Sequence, residues 1–140
     1  MAKAQTFDIS KFYTKDRFER GVPFEPVVDG EPVGISFDVI GYNSVKAATA
    51  VEKFAKFMEE MKKEKDPKRK KEMEYEANAE LASSLVVGFS EGSRGPVTVE
   101  DKPLEYSESV CYAIMLNSLP IANEIINFST RNKNFIQRSV

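Results

Sequence analysis

One pentapeptide in this sequence has the residue types and spacing of a catalytic site. Gly88 to Gly92 (GFSEG) matches the G-x-S-x-G pattern of a hydrolase nucleophile elbow, whose serine needs a histidine to accept its proton. The sequence contains no histidine. The elbow also needs a strand before the serine and a helix after it, whereas here a helical pattern comes first and a Gly/Pro-rich segment follows. We therefore interpret Gly88 as the residue that ends a helix in the left-handed conformation, and residues 88–96 as a loop.

The remaining candidates for chemistry are carboxylates and one thiol. Asp29/Glu31 and Glu100/Asp101 lie at predicted turns, where solvated carboxylates do not acquire the separated pKa values that acid–base catalysis needs. Cys111 is the only cysteine, so no intramolecular disulfide and no thiolate metal cluster can form. The absence of histidine removes the commonest general base and transition-metal ligand. We expect a protein that is not an enzyme, has no cofactor and no metal, and works by binding other proteins.

Composition and charge are those of an ordinary globular protein. The 140 residues are 41% hydrophobic and 30% charged, which favours a single domain over residues 1–140. A net charge of −2 gives the whole molecule no general attraction to nucleic acid or anionic membranes. Because no apolar signal segment and no 18-residue apolar run is found, we expect a cytoplasmic protein that is neither secreted nor membrane-spanning.

Hairpins are predicted on either side of the helical patterns. Val22 to Val28 and Val33 to Ile40 flank Asp29-Gly30, a dipeptide typical of tight hairpin turns. The second arm alternates apolar and other residues, whereas prolines push the first arm toward the edge of a sheet. A second small hairpin is predicted over 97–106, and residues 1–20 are expected to be partly ordered, with one short helical turn.

Apolar residues at spacings of three and four predict four helices. Ser44 and Ser107 are the predicted caps of the first and third, and Asp66-Pro67 begins the second. The predicted helices span residues 44–65, 66–87, 107–117 and 120–130. Residues 131–140 are expected to form a flexible basic tail. The predicted fold class is therefore α+β, with a small antiparallel β-hairpin sheet packed on a bundle of about four α-helices.

The most unusual local composition is the basic run from Lys62 to Lys71. It contains seven basic and two acidic residues, a local net charge of +5. Four of its cations crowd the positive end of the second predicted helix, which should fray there or accept an acidic partner. These four are Lys68, Arg69, Lys70 and Lys71. A solvated helix junction is the simpler interpretation, and the lack of interleaved aromatic residues weakens a nucleic-acid interpretation.

Aromatic residues are the other candidates for partner contacts, because protein interfaces use aromatic anchors. The sequence has ten Phe and five Tyr, and Phe12, Tyr13 and Phe18 lie outside the predicted core stripes. The predicted contacts, on the edge of the helices and in the tail, are Phe54, Phe57, Phe89, Phe128 and Phe135. The same residues would serve a hydrophobic core equally well.

Several landmarks follow one another in a characteristic order. They are the Asp29-Gly30-Glu31 hairpin leading into Val33-Gly34-Ile35, Ser44 opening a helix, the segment LASSLVVGF from Leu81 to Phe89, Leu104-Glu105-Tyr106-Ser107 before a helix, and Leu119-Pro120 before a last helix closing with Asn134-Phe135. This order, from about Phe7 to Phe135, resembles the tail assembly chaperones of long-tailed, siphovirus-like bacteriophages. The resemblance rests on apolar and turn residues, and relatives often carry Trp where this sequence has Phe89.

The resemblance implies a phage protein that is made in the host cytoplasm and is absent from the finished particle. Such chaperones coat the aggregation-prone tape measure protein and help to recruit tail tube protein, so both are expected partners, with self-association as a further one. Two alternatives stay open. One is a structural virion protein of the neck or tail, and the other is a small nucleic-acid-binding regulator that uses Lys62 to Lys71.

Overall fold

The protein has the mixed α+β architecture that the sequence predicts. The structure, a computed structural model, describes residue 6 and residues 8–136. The α-helices in this part of the chain are α1 (Lys15–Arg20), α2 (Ala48–Lys63), α3 (Pro67–Ser84), α4 (Glu108–Asn117) and α5 (Leu119–Thr130). The strands are β1 (Val22–Phe24), β2 (Val27–Val28), β3 (Glu31–Pro32), β4 (Ile35–Val39), β5 (Val86–Glu91), β6 (Thr98–Val99) and β7 (Lys102–Pro103). The sequence predicted about four helices, and the short α1 is additional.

A three-stranded antiparallel sheet contains the most buried strand of the protein. Its order is β1-β4-β5, with β4 in the centre. The predicted alternation is confirmed, because Ile35, Phe37 and Val39 of β4 are all buried. Strand β1 lies at the edge, as its prolines predicted, and Pro23 lies opposite Asp38 of β4. The apolar face of β4 therefore faces the hydrophobic core.

Both predicted hairpins are present. Asp29 and Gly30 have φ angles of 50° and 80°, the left-handed values of a tight two-residue turn, and they join β2 to β3. Glu100 and Asp101, with φ angles of 50° and 67°, join β6 to β7 in the same way. The turn carboxylates of both hairpins are exposed, as the sequence predicted.

Helix α3 lies at the centre of the helical layer and contacts α2, α4 and α5. Its predicted cap is confirmed, since an Asp66 side-chain oxygen accepts a hydrogen bond from the Lys68 N–H at 3.1 Å. Ser107 caps α4 in the same way. The Ser44 hydroxyl accepts from the Ala47 N–H at 3.0 Å, but it caps a turn before α2 and not the first turn of the helix itself.

The interpretation of Gly88 as a helix end is wrong. Helix α3 ends at Ser84, and the chain goes directly into β5, where Gly88 lies opposite Asp38 of β4. Among the described glycines, those with a positive φ are Gly21, Gly30, Gly34 and Gly95. The predicted loop over 88–96 is therefore partly a strand. Its residues complete the sheet on the open side of β4, a tertiary requirement that helical periodicity does not report.

The segment beyond α5 packs against the rest of the chain. Residues Asn132–Phe135 form a 3₁₀ turn, and Phe135 is fully buried. The Asn134 side-chain amide donates a hydrogen bond to the Phe128 carbonyl at 2.9 Å. Up to Ile136, the predicted flexible tail is thus part of the packed structure, and residues 137–140 lie outside the described part of the chain.

Helices α4 and α5 are the most apolar of the protein. Taken one at a time, no helix in the described part of the chain is long and apolar enough to cross a membrane. Helices α4 and α5 reach that length and composition only as a pair, and the pair is bent by 111°.

A buried serine ties α5 to the chain that leaves β4. The Ser129 hydroxyl donates to the Ile40 carbonyl at 2.8 Å, and the Ser129 carbonyl accepts from the Tyr42 N–H at 3.1 Å. Both Ser129 and Ile40 are buried. Loss of the hydroxyl would leave a buried carbonyl without this donor.

We therefore expect Ser129→Ala to lower the free energy of unfolding by about 1–3 kcal/mol, the penalty of an unsatisfied buried polar group. Urea unfolding followed by circular dichroism measures this change. Ser84→Ala is the control, because the exposed Ser84 hydroxyl bonds the Glu80 carbonyl within its own helix, and a change below about 0.5 kcal/mol is expected. Equal losses in the two variants would contradict the assigned role of Ser129.

Candidate functional site

Two of the aromatic residues predicted as partner contacts belong to an intramolecular row of rings. Phe128 stacks on Phe24 with 4.2 Å between ring centroids, and lies 5.8 Å from Phe135. Phe135 in turn contacts Phe18 at 5.0 Å, edge to face. These distances are typical of packed aromatic pairs. Because Phe135 has no exposed surface, it offers no contact to a partner and instead joins α1 to α5, while Phe128 joins α5 to β1.

The other three predicted aromatic contacts are half-buried. Phe54 and Phe57 face α3 across a small cavity of about 20 Å³ between α2 and α3. The Phe89 ring lies 5.8 Å from Phe37 and 5.2 Å from Tyr106. These three residues therefore help to hold α2 on α3 and β5 on β4, and each keeps part of its surface exposed.

Among the described residues, a group of exposed large apolar side chains lies instead near the start of the chain. Ile9, Phe12 and Tyr13 are 65%, 50% and 68% exposed. Ile9–Phe12 form a 3₁₀ turn, capped by the Asp8 side chain, which accepts from the Ser10 N–H at 2.9 Å. We call residues 9–13 the aromatic arm. The 3₁₀ turn places Ile9 and Phe12 on the same side, and Tyr13 follows directly in extended conformation.

The aromatic arm precedes helix α1, which is hydrogen-bonded to the rest of the protein. The Glu19 carboxylate accepts hydrogen bonds from the N–H groups of Val45 and Lys46, at 2.6 and 3.0 Å. These bonds hold the pKa of the Glu19 carboxyl below its usual range. The Phe18 carbonyl of α1 also accepts from the Gly41 N–H at 2.9 Å. The arm is therefore attached to the chain that connects β4 to α2.

The basic run from Lys62 to Lys71, which we call the basic tip, joins α2 to α3. Nearly all of it is exposed, and α3 is regular from Pro67 onward, so the expected fraying is not found. Arg69 lies 3.4 Å from Glu72, and Lys71 lies 3.4 Å from Glu74. Within the described residues, four lysines of the tip form no salt bridge, and these are Lys63, Lys65, Lys68 and Lys70.

An apolar groove lies between the β6–β7 hairpin and α4, and sequence reasoning did not find it. It encloses about 640 Å³. Its apolar lining consists of Val99, Pro103, Leu104, Val110, Ala113 and Ile114. Glu100, Glu105 and Lys102 also line it, and Asp101 lies beside Glu100 in the hairpin turn. All three carboxylates are exposed. We call this surface the acidic groove.

The negative charge around the acidic groove can be counted in the sequence. Residues 97–108 include four acids and one lysine, a net charge of −3. In the described part of the chain, none of these five charged side chains forms a salt bridge. The turn acids were interpreted only as solvated carboxylates, because sequence spacing did not indicate that an apolar helix face lay beside them.

The residues considered first for chemistry are held in structural roles. Ser90 lies within β5, opposite Ser36 of β4, so it is not at the turn between a strand and a helix that a nucleophile elbow requires. Cys111 is buried in α4, and burial raises the pKa of its thiol to about 12. Among the residues that the structure describes, no group of three or more Cys, Asp or Glu side chains is placed to hold a metal ion.

The lowered pKa of Glu19 predicts a pH dependence of stability. The folded protein holds the charged carboxylate, so this contribution is present above the unfolded pKa, near 4.3, and is lost as the pH falls through the folded pKa. We expect Glu19→Gln to be less stable than the unmodified chain at pH 7. The difference should shrink toward pH 3, as measured by urea unfolding at each pH. A difference that is independent of pH would contradict the assigned role of the Glu19 carboxylate.

Comparisons of the chain with protein-family models, curated proteins and solved structures found no match. The functional argument therefore rests on three surfaces of this chain, namely the aromatic arm, the basic tip and the acidic groove, together with the order of landmarks along the sequence.

Proposed function

We propose that this protein is a phage tail assembly chaperone that binds the tape measure protein in the host cytoplasm and assists assembly of the tail tube. The observation that carries the binding role is the aromatic arm, where three large apolar side chains are exposed within five residues. Isolated exposed apolar residues are ordinary on protein surfaces, but a contiguous group marks an interaction site. The identity of the client rests on the order of landmarks that resembles the tail assembly chaperones.

The arm has the features of an interface anchor. Aromatic side chains dominate the binding energy of interfaces because they bury a large area with few rotatable bonds. The arm is also held by α1, whose Glu19 side chain accepts hydrogen bonds from two backbone amides of the segment before α2. A contact surface that is already positioned loses less conformational entropy on binding. These properties suit a chaperone that must hold an apolar client.

The spacing of the arm fits a helical client. Ile9 and Phe12 fall on one side of the 3₁₀ turn, and Tyr13 follows it in extended conformation. Three exposed apolar side chains so close together suit a groove between helices or one apolar helix face. A tape measure protein, as the resemblance implies, is long and aggregation-prone. Repeated binding of the arm along such a client would cover the apolar stripes that otherwise associate with one another.

The test is co-expression with the tape measure protein of the same phage. We expect the unmodified chain to co-purify with that client and to increase its soluble fraction. The double variant Phe12→Ala/Tyr13→Ala should bind roughly 30-fold or more weakly, the effect of removing an interface hot spot worth about 2 kcal/mol. Isothermal titration with a client fragment measures the affinity.

Tyr75→Ala with Leu116→Ala is the matched control, since both residues are exposed apolar side chains outside the arm. This control should bind like the unmodified chain. Equal weakening by the arm variant and the control would remove the arm from the binding site. Finding the chain in purified phage particles would instead favour a structural protein of the neck or tail.

A further inference from the structure

We propose that the acidic groove binds an amphipathic helix of a different protein, one that carries lysine or arginine beside its apolar stripe. None of the residues that line the groove belongs to the aromatic arm. The inference therefore goes beyond the proposed chaperone function and does not depend on it. It assigns a partner to a helix face that the fold of this chain leaves open.

Helix α4 is apolar on two sides, and only one of them lies in the core. Cys111 and Met115 are buried there. Val110, Ala113 and Ile114 line the acidic groove instead, and Ala113 is exposed. A helix at the surface of a protein normally has polar residues opposite its core-facing side. The second apolar side of α4 therefore indicates a contact surface for another molecule.

The shape of the groove favours a helix as the occupant. Its α4 wall presents residues at the spacing i, i+3, i+4 and i+7, and these are Val110, Ala113, Ile114 and Asn117. Such a row runs along one side of a helix and is the surface against which a second helix packs. The opposite wall is the β6–β7 hairpin, where Val99 is 49% exposed. The enclosed volume of about 640 Å³ has room for a few large side chains of a docking helix.

The charge around the groove selects a basic helix. Residues 97–108 have a net charge of −3, and Lys102 is their only cation. Within the part of the chain that the structure describes, no carboxylate of this segment forms a salt bridge. A lysine or arginine of the partner can lay its hydrocarbon stem on the apolar lining and place its charge beside Glu100, Asp101 or Glu105. An acidic helix would be repelled by the same carboxylates.

The described helices of this chain do not offer that combination of side chains. Their basic residues lie in α1, α2 and α3. Phe18 of α1 packs against Phe135, and α2 and α3 turn their apolar stripes toward each other. The ten residues of the basic tip include no large apolar side chain, so they cannot cover the lining of the groove. The occupant is therefore a helix of a different protein.

Titration with labelled model peptides tests this assignment. The basic peptide is an amphipathic sequence of leucine and lysine, about 18 residues long so that it can form a helix. An acidic peptide has glutamate in place of every lysine, and a scrambled peptide has the basic composition without the amphipathic order. In fluorescence anisotropy at low salt, the basic peptide should bind in the micromolar range, and the other two should bind at least roughly tenfold more weakly. Binding of the basic peptide should weaken as salt screens the charges.

A matched pair of variants on α4 locates the site. Ala113→Arg places a long cationic side chain in the groove at an exposed position, where arginine is a good helix former. This variant should bind the basic peptide at least roughly tenfold more weakly. Leu116→Arg introduces the same side chain on α4 outside the groove and should bind like the unmodified chain.

A second pair of variants tests the charges. The groove variant removes three exposed carboxylates by Glu100→Gln, Asp101→Asn and Glu105→Gln. It should bind the basic peptide roughly tenfold more weakly and lose most of the salt dependence. The control variant removes the same amount of charge from α2 by Glu52→Gln, Glu59→Gln and Glu60→Gln, and it should bind like the unmodified chain. Circular dichroism of every variant checks that it is folded.

Equal binding of the basic and acidic peptides would overturn the proposal, as would an Ala113→Arg variant that binds like the unmodified chain. A second copy in the groove would also overturn it. In that case the unmodified chain would sediment as an oligomer that excess basic peptide does not dissociate, and Ala113→Arg would sediment as a monomer. Binding to lipid vesicles without binding to the basic peptide would instead assign the apolar face to a membrane surface. None of these measurements involves the tape measure protein, so they leave the chaperone proposal to its own test.

Discussion

The burial of strand β4 is the constraint on which the rest of the structure depends. Phe37 and Val39 are fully buried, and a strand in this position needs hydrogen-bonding partners along both of its edges. The hairpin supplies β1 on one side. The other side is closed by β5, which follows α3 after a single residue, Leu85. The sheet therefore fixes where α3 ends, and α3 in turn positions α2, α4 and α5.

The position of the aromatic arm follows from the same strand. The chain leaving β4 is held by Ser129 of α5 at Ile40 and by the Phe18 carbonyl at Gly41. Glu19 then bonds the two amides that precede α2. Helix α1 is thus attached to the most constrained part of the core. An exposed apolar segment on such a base can present its side chains in a defined direction, which a free terminal segment cannot do.

Local signals made the hairpins and helix starts predictable from sequence. Asp29-Gly30 is typical of a tight turn. Asp66 and Ser107 are residue types that cap the N-termini of helices, here α3 and α4. The identity of Gly88 as a strand residue was not predictable, because helical periodicity continues past Ser84 and only the open edge of β4 decides the conformation there. The burial of Phe135 likewise depends on Phe18 and Phe128, which are distant in sequence. The same limit explains why Phe135, one of the five predicted aromatic contacts, is fully buried, whereas the aromatic arm is exposed.

Local charge can be read from the sequence only where the charged residues are consecutive. The +5 of the basic tip is visible in the sequence, since all its residues are consecutive. The acidic groove is not visible in the sequence, because its apolar lining comes from both a hairpin and α4. Only the fold places the carboxylates of the hairpin beside that apolar lining. The sequence does not distinguish a fully solvated carboxylate at a turn from a carboxylate that borders an apolar surface, although the two differ in what they can bind. Only the second kind can contact an apolar stem and its charge together, so the fold, and not the composition, determines what such carboxylates can bind.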